Sequence, residues 1–435
     1  MTAAELNAFR PGVTVIEDAA SPTGYTAVFL FDEHGLTPEY LDYILRQYHV
    51  DLRKALDLTR ITRVAVYSNT AWLYDYGEMP ADHPLDPAQS HAPQEYRPGL
   101  YPAGGDTSAE LFGGAKVNFA QECVFLGDGR WGCAFPLTSG ATDYNIRLGD
   151  AFGRTDGTYL YDPANPPMYN EVSRVYSRSS MVWVPHAACE GDRDRSVENP
   201  DPAAPKGRIE YVPFEENNSI AVYLPAGYDP NRAEPYKVLY LSHGAQAEFL
   251  GSELRWLHEC AGENIFNNLG VDFLVVTMNN IHNGGENTRT GIGGLWNMDS
   301  ICEAQKRIMT AVEARYPVGR TSADRAFAGF SMGGWTTESI YVHMADQFDY
   351  FGIWSMGRAD LINEDTLPFL KANADHNHVQ LAWGDWDWCL PFCHGLEQAL
   401  RENGIPYTQF TVPGSHDWRT WALILAHSCR EFFFQ

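Results

Sequence analysis

Residues 325–344 constrain this chain more than any other stretch. Arg325-Ala326-Phe327-Ala328 reads as a short buried strand and Trp335 to Met344 as a helix, with Gly329-Phe330-Ser331-Met332-Gly333-Gly334 between them. A G-x-S-x-G run in that setting turns a strand sharply into a helix: the glycines leave room for neighbouring backbone, and the serine is held strained at the tip. Ser331 is therefore a candidate nucleophile. Upstream, Ile301, Ile308, Met309, Val312 and Tyr316 recur at helical spacing, and Pro317 with Gly319 closes that helix.

The surroundings of this turn alternate. Val238 to Leu241, Phe273 to Val276, Ala326 to Ala328, Phe351 to Trp354 and Val379 to Ala382 are strand-like, with helical segments between several of them. Repeated β-α units predict an α/β catalytic domain, residues 207–435, on a largely parallel sheet covered on both faces. The amino-terminal half differs. Tyr25 to Phe31, Ile61 to Tyr67, Cys123 to Leu126 and Trp131 to Leu137 are short aromatic and β-branched runs, predicting a mainly-β sandwich domain over residues 1–188. One helix, Pro38 to Leu58, and an irregular excursion, Glu78 to Gly114, interrupt it. The charged, proline-rich stretch between His186 and Gly207 is the expected linker, residues 189–206.

A chain of 435 residues is long enough for two cores, and its formal charge of −25 excludes nucleic acid and anionic membrane surfaces as natural partners. No run is long and apolar enough to span a bilayer. The first residues carry no basic segment followed by an apolar run, so the expectation is a cytoplasmic protein, or a secreted one whose leader is missing. Eight cysteines without framework spacing read as mostly reduced thiols. Cys389, Cys393 and His394 lie close in sequence, but no second pair stands at zinc spacing. Buried thiols or one local disulfide is the expectation there, with no metal.

A serine hydroxyl needs a base, and usually a carboxylate to orient that base. In hydrolases of this sheet type both follow the serine on loops after later strands. His416, in Pro413-Gly414-Ser415-His416-Asp417-Trp418 after the strand Tyr407 to Val412, is the candidate base. Asp417 is read as a turn former or cap of the helix that begins near Trp418. Gly384-Asp385-Trp386-Asp387-Trp388 offers two carboxylates that an extended loop would point the same way, so side-chain direction leaves Asp385 and Asp387 both open, with Asp360 a third choice. The oxyanion donors are expected from the N–H of Met332 and of Ala245, the latter in a strand-end Ser242-His243-Gly244-Ala245-Gln246 loop. His243 is read as shaping that loop.

Assembled, these residues resemble carbohydrate esterases of the feruloyl and acetyl-xylan type, within a wider α/β-hydrolase esterase group that includes esterase D. The resemblance spans Gly207 to the end. It is most specific at Val222 to Tyr228, Tyr240 to Gly244, Gly329 to Gly334, and Pro413 to Trp418 with Trp421. It implies an α/β-hydrolase fold and an acid a few residues beyond the strand-end glycine, which favours Asp387; the tryptophan- and cysteine-rich Trp386 to Cys393 departs from the family pattern. The amino-terminal half resembles an immunoglobulin-like early-set domain, akin to carbohydrate-binding modules, through Leu126 to Trp131, Tyr144 to Arg147 and Asp162 to Pro167.

The expected activity is hydrolysis of carboxylic esters without any cofactor. The substrate implied is a hydroxycinnamoyl or acetyl ester of a plant oligosaccharide, or a small phenolic ester. Gln246, Trp296, Trp386 and Trp388 are candidate substrate contacts, because flat apolar rings suit a phenolic acyl group or a sugar ring. Three alternatives stand beside this reading: a cytoplasmic siderophore esterase of the enterochelin type, an acyltransferase to a sugar hydroxyl, and a carbohydrate-binding protein on an inactive hydrolase scaffold.

Overall fold

The computed structural model describes the chain except residues 22, 70–104, 112–114, 159, 191–193, 215–218, 246–250, 280–297, 386, 388 and 415. At residues 68–69, 105–111, 115–120, 190 and 298–300 only the backbone is described.

The amino-terminal half opens with α1 (Ala3–Leu6), β1 (Gly12–Glu17) and β2 (Tyr25–Asp32), followed by α2 (Pro38–Tyr48) and α3 (Leu52–Ala55). Then come β3 (Ile61–Asn69), β4 (Gly105–Leu111), β5 (Ala115–Glu122), β6 (Val124–Gly127), β7 (Arg130–Pro136) and β8 (Gly140–Asp150). The hairpin β9 (Tyr169–Asn170) and β10 (Val175–Tyr176) precedes β11 (Ser180–Val184). The strands form a four-stranded sheet, β1-β2-β7-β6, and a five-stranded sheet, β11-β8-β3-β5-β4. Phe29, Phe135 and Tyr144 anchor the core of this half, Phe29 stacking on Phe135 and meeting Tyr144 edge-on.

Two expectations change here. The helix expected from Pro38 to Leu58 ends at Tyr48: His49 turns left-handed at φ 58°, and Asp51 caps a new short helix by accepting from the Arg53 N–H. The irregular excursion contains a strand, β4, in its last third; residues 78–104 of it lie outside the described residues.

The carboxy-terminal half begins with β12 (Arg208–Pro213), β13 (Ser219–Leu224), β14 (Val238–Ser242), α4 (Gly262–Leu269) and β15 (Leu274–Met278). It continues through α5 (Met298–Arg315), β16 (Arg325–Phe330), α6 (Met332–Met344), β17 (Tyr350–Trp354) and α7 (Leu367–Asn373). β18 (His378–Gly384), α8 (Leu390–Glu402), β19 (Thr408–Val412) and α9 (Trp418–Glu431) complete it. One eight-stranded sheet runs β12-β13-β15-β14-β16-β17-β18-β19, antiparallel through β13 and parallel from β15 onward. This is the α/β-hydrolase sheet. Period-two alternation explains the covering of both faces: Val238 and Tyr240 enter one core, Leu239 and Leu241 the other.

The stretch expected as a linker carries buried charges. Arg195 and Glu198 are buried and ion-paired at 2.5 Å, and Glu198 Oε2 accepts the Ala141 N–H at 2.9 Å. Ala141, Met181 and Ala261 pack together, joining β8 and β11 to the turn before α4.

Candidate active site

β16 feeds directly into α6, and Ser331 is the residue between them. Its φ of 54° and ψ of −123° place it in a region that L-residues avoid. The turn is fixed by the Ser331 N–H donating to the Trp354 carbonyl at 2.9 Å. The two flanking glycines are required by proximity, because a Cβ on Gly329 or Gly333 would collide with the Ser242 carbonyl at the end of β14. Met332 starts α6, so its N–H has no partner within the helix and lies at the positive end of the helix dipole.

The loop after β18 and the loop after β19 meet. His416 Nδ1 and Asp387 Oδ1 stand 2.8 Å apart, and the same oxygen accepts the Cys389 N–H at 2.8 Å. Asp387 is fully buried while His416 keeps an edge exposed. The other sequence candidates for the acid are engaged elsewhere. Asp385 donates its N–H to the Val412 carbonyl, and burial pushes its carboxyl up, opposed by a hydrogen bond from Thr411. Asp360 pairs with Arg358 at 2.5 Å. Asp417 caps α9, accepting the Thr420 N–H at 2.9 Å.

Aromatic packing joins the histidine loop to the elbow. Phe330, the residue before Ser331, lies parallel to Trp421 with ring centroids 3.5 Å apart, and His416 meets Trp421 edge-on at 5.0 Å. Trp421 Nε1 donates to Ser355 Oγ at 2.9 Å, and Ser355 itself holds a positive φ of 52°. Sequence reading carried Trp421 as part of a motif and missed Ser355, which follows β17 without any pattern to mark it.

The loop after β14 reaches the same place. A Cβ on Gly244 would stand 2.5 Å from the Phe330 ring and 3.3 Å from Ser331 Cβ, so glycine is what permits this approach. His243 is buried, with Nδ1 2.8 Å from the Gly244 carbonyl. Burial, helped by the nearby Arg255 charge, pushes its imidazole down to about 3. It stays neutral at physiological pH and shapes the loop rather than carrying charge. Ala245 is exposed and its carbonyl accepts from Arg255 Nη1 at 3.5 Å. Gln246, Trp296, Trp386 and Trp388, the expected substrate contacts, lie outside the described residues.

Asp387, Cys389 and His416 bring a carboxylate, a thiol and an imidazole within 4.8 Å of one another. The histidine–aspartate hydrogen bond accounts for this closeness. Burial, with Asp387 alongside, pushes the Cys389 thiol well above its ordinary range. Cys389 and Cys393 are both buried and free, so no local disulfide joins them, and His394 faces Glu397 at 3.4 Å instead.

The sequence model of the family described as Putative esterase matches residues 213–432, half of the chain and the whole of the region that carries this site. The chain belongs to that esterase family. Among curated proteins it is similar to endo-1,4-beta-xylanase Y of Acetivibrio thermocellus, 32% identical over 161 residues; the match takes in 35% of this chain and 14% of that much longer protein. Among solved structures, a ferulic acid esterase from Anaeromyces mucronatus is 19% identical, with 55% of this chain and 94% of that one covered at a TM-score of 0.46. The enterobactin esterase from Shigella flexneri is 14% identical, with 98% of both chains covered at a TM-score of 0.50. The last likeness extends the shared fold to the amino-terminal half of this esterase-family chain. Among the described residues, no helix is long and apolar enough to cross a membrane.

Proposed function

We propose that this chain is a serine hydrolase of carboxylic esters. Ser331 Oγ attacks the ester carbonyl, and His416 takes its proton and returns it to the leaving alcohol. Asp387 holds the imidazole by its Nδ1 and supports the imidazolium that forms. The N–H groups of Met332 and Ala245 receive the negative charge that develops on the carbonyl oxygen. Water, activated by His416 in the reverse sense, then releases the acid from Ser331. The observation that carries this reading is the 2.8 Å contact between His416 and the buried carboxylate of Asp387, on loops adjoining a strained serine.

The substrate we propose is a hydroxycinnamoyl or acetyl ester on a plant-wall polysaccharide fragment. Similarity to a protein named as a xylanase supports it, as does the phenolic chemistry named for the ferulic acid esterase of like fold. A second reading has its own support: the enterobactin esterase shares the fold over 98% of both chains, including the half that the family model leaves out. That reading makes the substrate a catecholate ester.

One panel separates the two. Purified full-length protein is offered methyl ferulate, feruloylated arabino-oligosaccharide, acetylated xylan and a catecholate trilactone at equal concentration. The first reading predicts the highest kcat/KM on a feruloyl or acetyl ester, and dominance of the trilactone would replace it with the second. Absence of cleavage in every case, together with tight binding to xylan, would overturn both.

A further inference from the structure

Three residues beyond His416, in the first turn of α9, the Arg419 side chain reaches from the carboxy-terminal half to the start of β8 in the amino-terminal one. Its Nη1 donates to the Ala141 carbonyl at 3.0 Å and to Thr142 Oγ1 at 2.9 Å. Its Nη2 donates to Thr138 Oγ1 at 3.0 Å and to the Ser139 carbonyl at 2.7 Å. All four acceptors lie at or just before the start of β8. One planar guanidinium thus fixes a turn 277 to 281 positions away in sequence.

The connection closes on itself. Ala141 donates its N–H to Glu198 at 2.9 Å, Glu198 pairs with Arg195 at 2.5 Å, and Arg195 Nη2 donates to the backbone carbonyl of Arg419 at 2.5 Å. Arg419, Arg195 and Glu198 are 4%, 7% and 0% exposed, so solvent does not compete for these bonds. Gly140, at φ 93°, lets the turn come this near: a Cβ there would stand 2.5 Å from the Glu198 carboxylate. Removing one member of such a buried ring leaves its partners unsatisfied, so its geometry is held as a unit.

The other side of the site is tied to the same half of the chain. Arg255, whose Nη1 reaches the Ala245 carbonyl, lies with its guanidinium carbon 4.8 Å from the ring centre of Trp418. Its segment is anchored by Glu253, which accepts from Asn170 at 2.7 Å, and by Glu259, which accepts from Ser177, Arg178 and Ser179.

We infer that Arg419 is a positioning residue for His416, and that the amino-terminal sheet is part of the catalytic frame. The inference rests on the reading of Ser331, Asp387 and His416 given above. Asp387 leaves β18 and is fixed by the catalytic sheet, whereas His416 sits between β19 and α9. Its approach to Asp387 and Ser331 is therefore set at the α9 end by the Asp417 cap and by Arg419. Misplacement of a general base by about 1 Å is enough to cost on the order of a hundredfold in rate.

The test uses the full-length protein and 4-nitrophenyl acetate, whose turnover does not depend on the natural substrate. Arg419→Met, Arg419→Lys and Ser331→Ala are compared for kcat, KM and thermal unfolding. Folded Arg419→Met should lose roughly 10- to 100-fold in kcat with KM within about threefold, and Arg419→Lys should recover part of the loss. A folded Arg419→Met with the parent's kcat overturns the inference, as does a loss confined to KM. Should Arg419→Met fail to fold, the pair Thr138→Val with Thr142→Val removes two of the four acceptors and keeps the arginine. A lowered kcat at unchanged KM supports the inference, and an unchanged kcat overturns it. If Ser331→Ala retains full activity the underlying reading fails, whatever the Arg419 variants do.

Discussion

Phe330 and Trp421 lie face to face, with centroids 3.5 Å apart and planes 14° from parallel. The stack couples the residue before the candidate nucleophile to the helix that follows the candidate base, and His416 packs edge-on against the same indole. A hydrogen bond between catalytic side chains is easily lost to thermal motion. Two large rings in contact, with the indole N–H held by Ser355, limit that motion.

Replacing Trp421 by Leu removes the stack and the hydrogen bond together. The expected cost is about 2–4 kcal/mol of stability together with a loss of kcat. Ser355→Ala leaves the buried indole N–H unsatisfied, costing about 1–3 kcal/mol. Urea unfolding of both variants checks these values, and a Ser355→Ala midpoint equal to the parent's would show that the bond is not needed.

The two neighbouring aspartates should separate cleanly. Asp387→Asn is expected to lower kcat on the order of 10³- to 10⁴-fold, since the amide cannot support the imidazolium. Asp385→Asn, whose residue binds the β19 edge instead, should stay within about threefold of the parent. Steady-state kinetics on one activated ester decides the matter, and equal mild losses from both would remove Asp387 from its role.

The glycines of this chain are not equivalent. Gly333→Ala drives a Cβ into the Ser242 backbone and should destabilise the fold by about 2 kcal/mol or more. Gly395→Ala, inside α8, meets among the described residues only Ala359 Cβ at 3.8 Å, an ordinary contact, and should be neutral or gain about 0.5–1 kcal/mol. Thermal melts of the two variants side by side provide the check, and the reverse order would contradict it.

His243 predicts a pH dependence of stability. In the fold its imidazole is pushed down to about 3 by burial, while an unfolded histidine titrates near ~6.5. Between those values the unfolded chain binds a proton that the native state refuses, so stability falls as pH drops from about 6.5 toward 3 and is unaffected by this residue above that range. His243→Asn should flatten the dependence by up to about 1.4 kcal/mol per pH unit. Urea midpoints at pH 4, 5, 6 and 7 measure it, and identical slopes in variant and parent would rule the histidine out.

Much of the candidate site was legible because its signals are local. The elbow around Ser331, the His416 turn and the Asp417 cap each occupy a few consecutive residues whose types follow from backbone geometry. The strands of the catalytic sheet were readable from buried runs such as Val238 to Leu241. What sequence could not carry is long-range pairing. Nothing near Arg419 announces that its partners are Thr138 to Thr142, and the charged look of residues 190–205 concealed that Arg195 and Glu198 are buried. Between Asp385 and Asp387 side-chain direction left both open, and only the family resemblance favoured Asp387. Two residues apart in an extended loop they look alike; in the fold a turn sets the Cys389 N–H on Asp387 and brings the same oxygen to His416.

The central claim, that Ser331 is the nucleophile activated by His416 and Asp387, is tested most directly by covalent capture. Full-length protein is reacted with a fluorophosphonate and the adduct is located by peptide mass spectrometry. The account predicts one phosphonylated residue, Ser331, with labelling abolished by Ser331→Ala and slowed at least a hundredfold or so by Asp387→Asn. An adduct at another residue, or labelling of Ser331 at the parent's rate in Asp387→Asn, would contradict it.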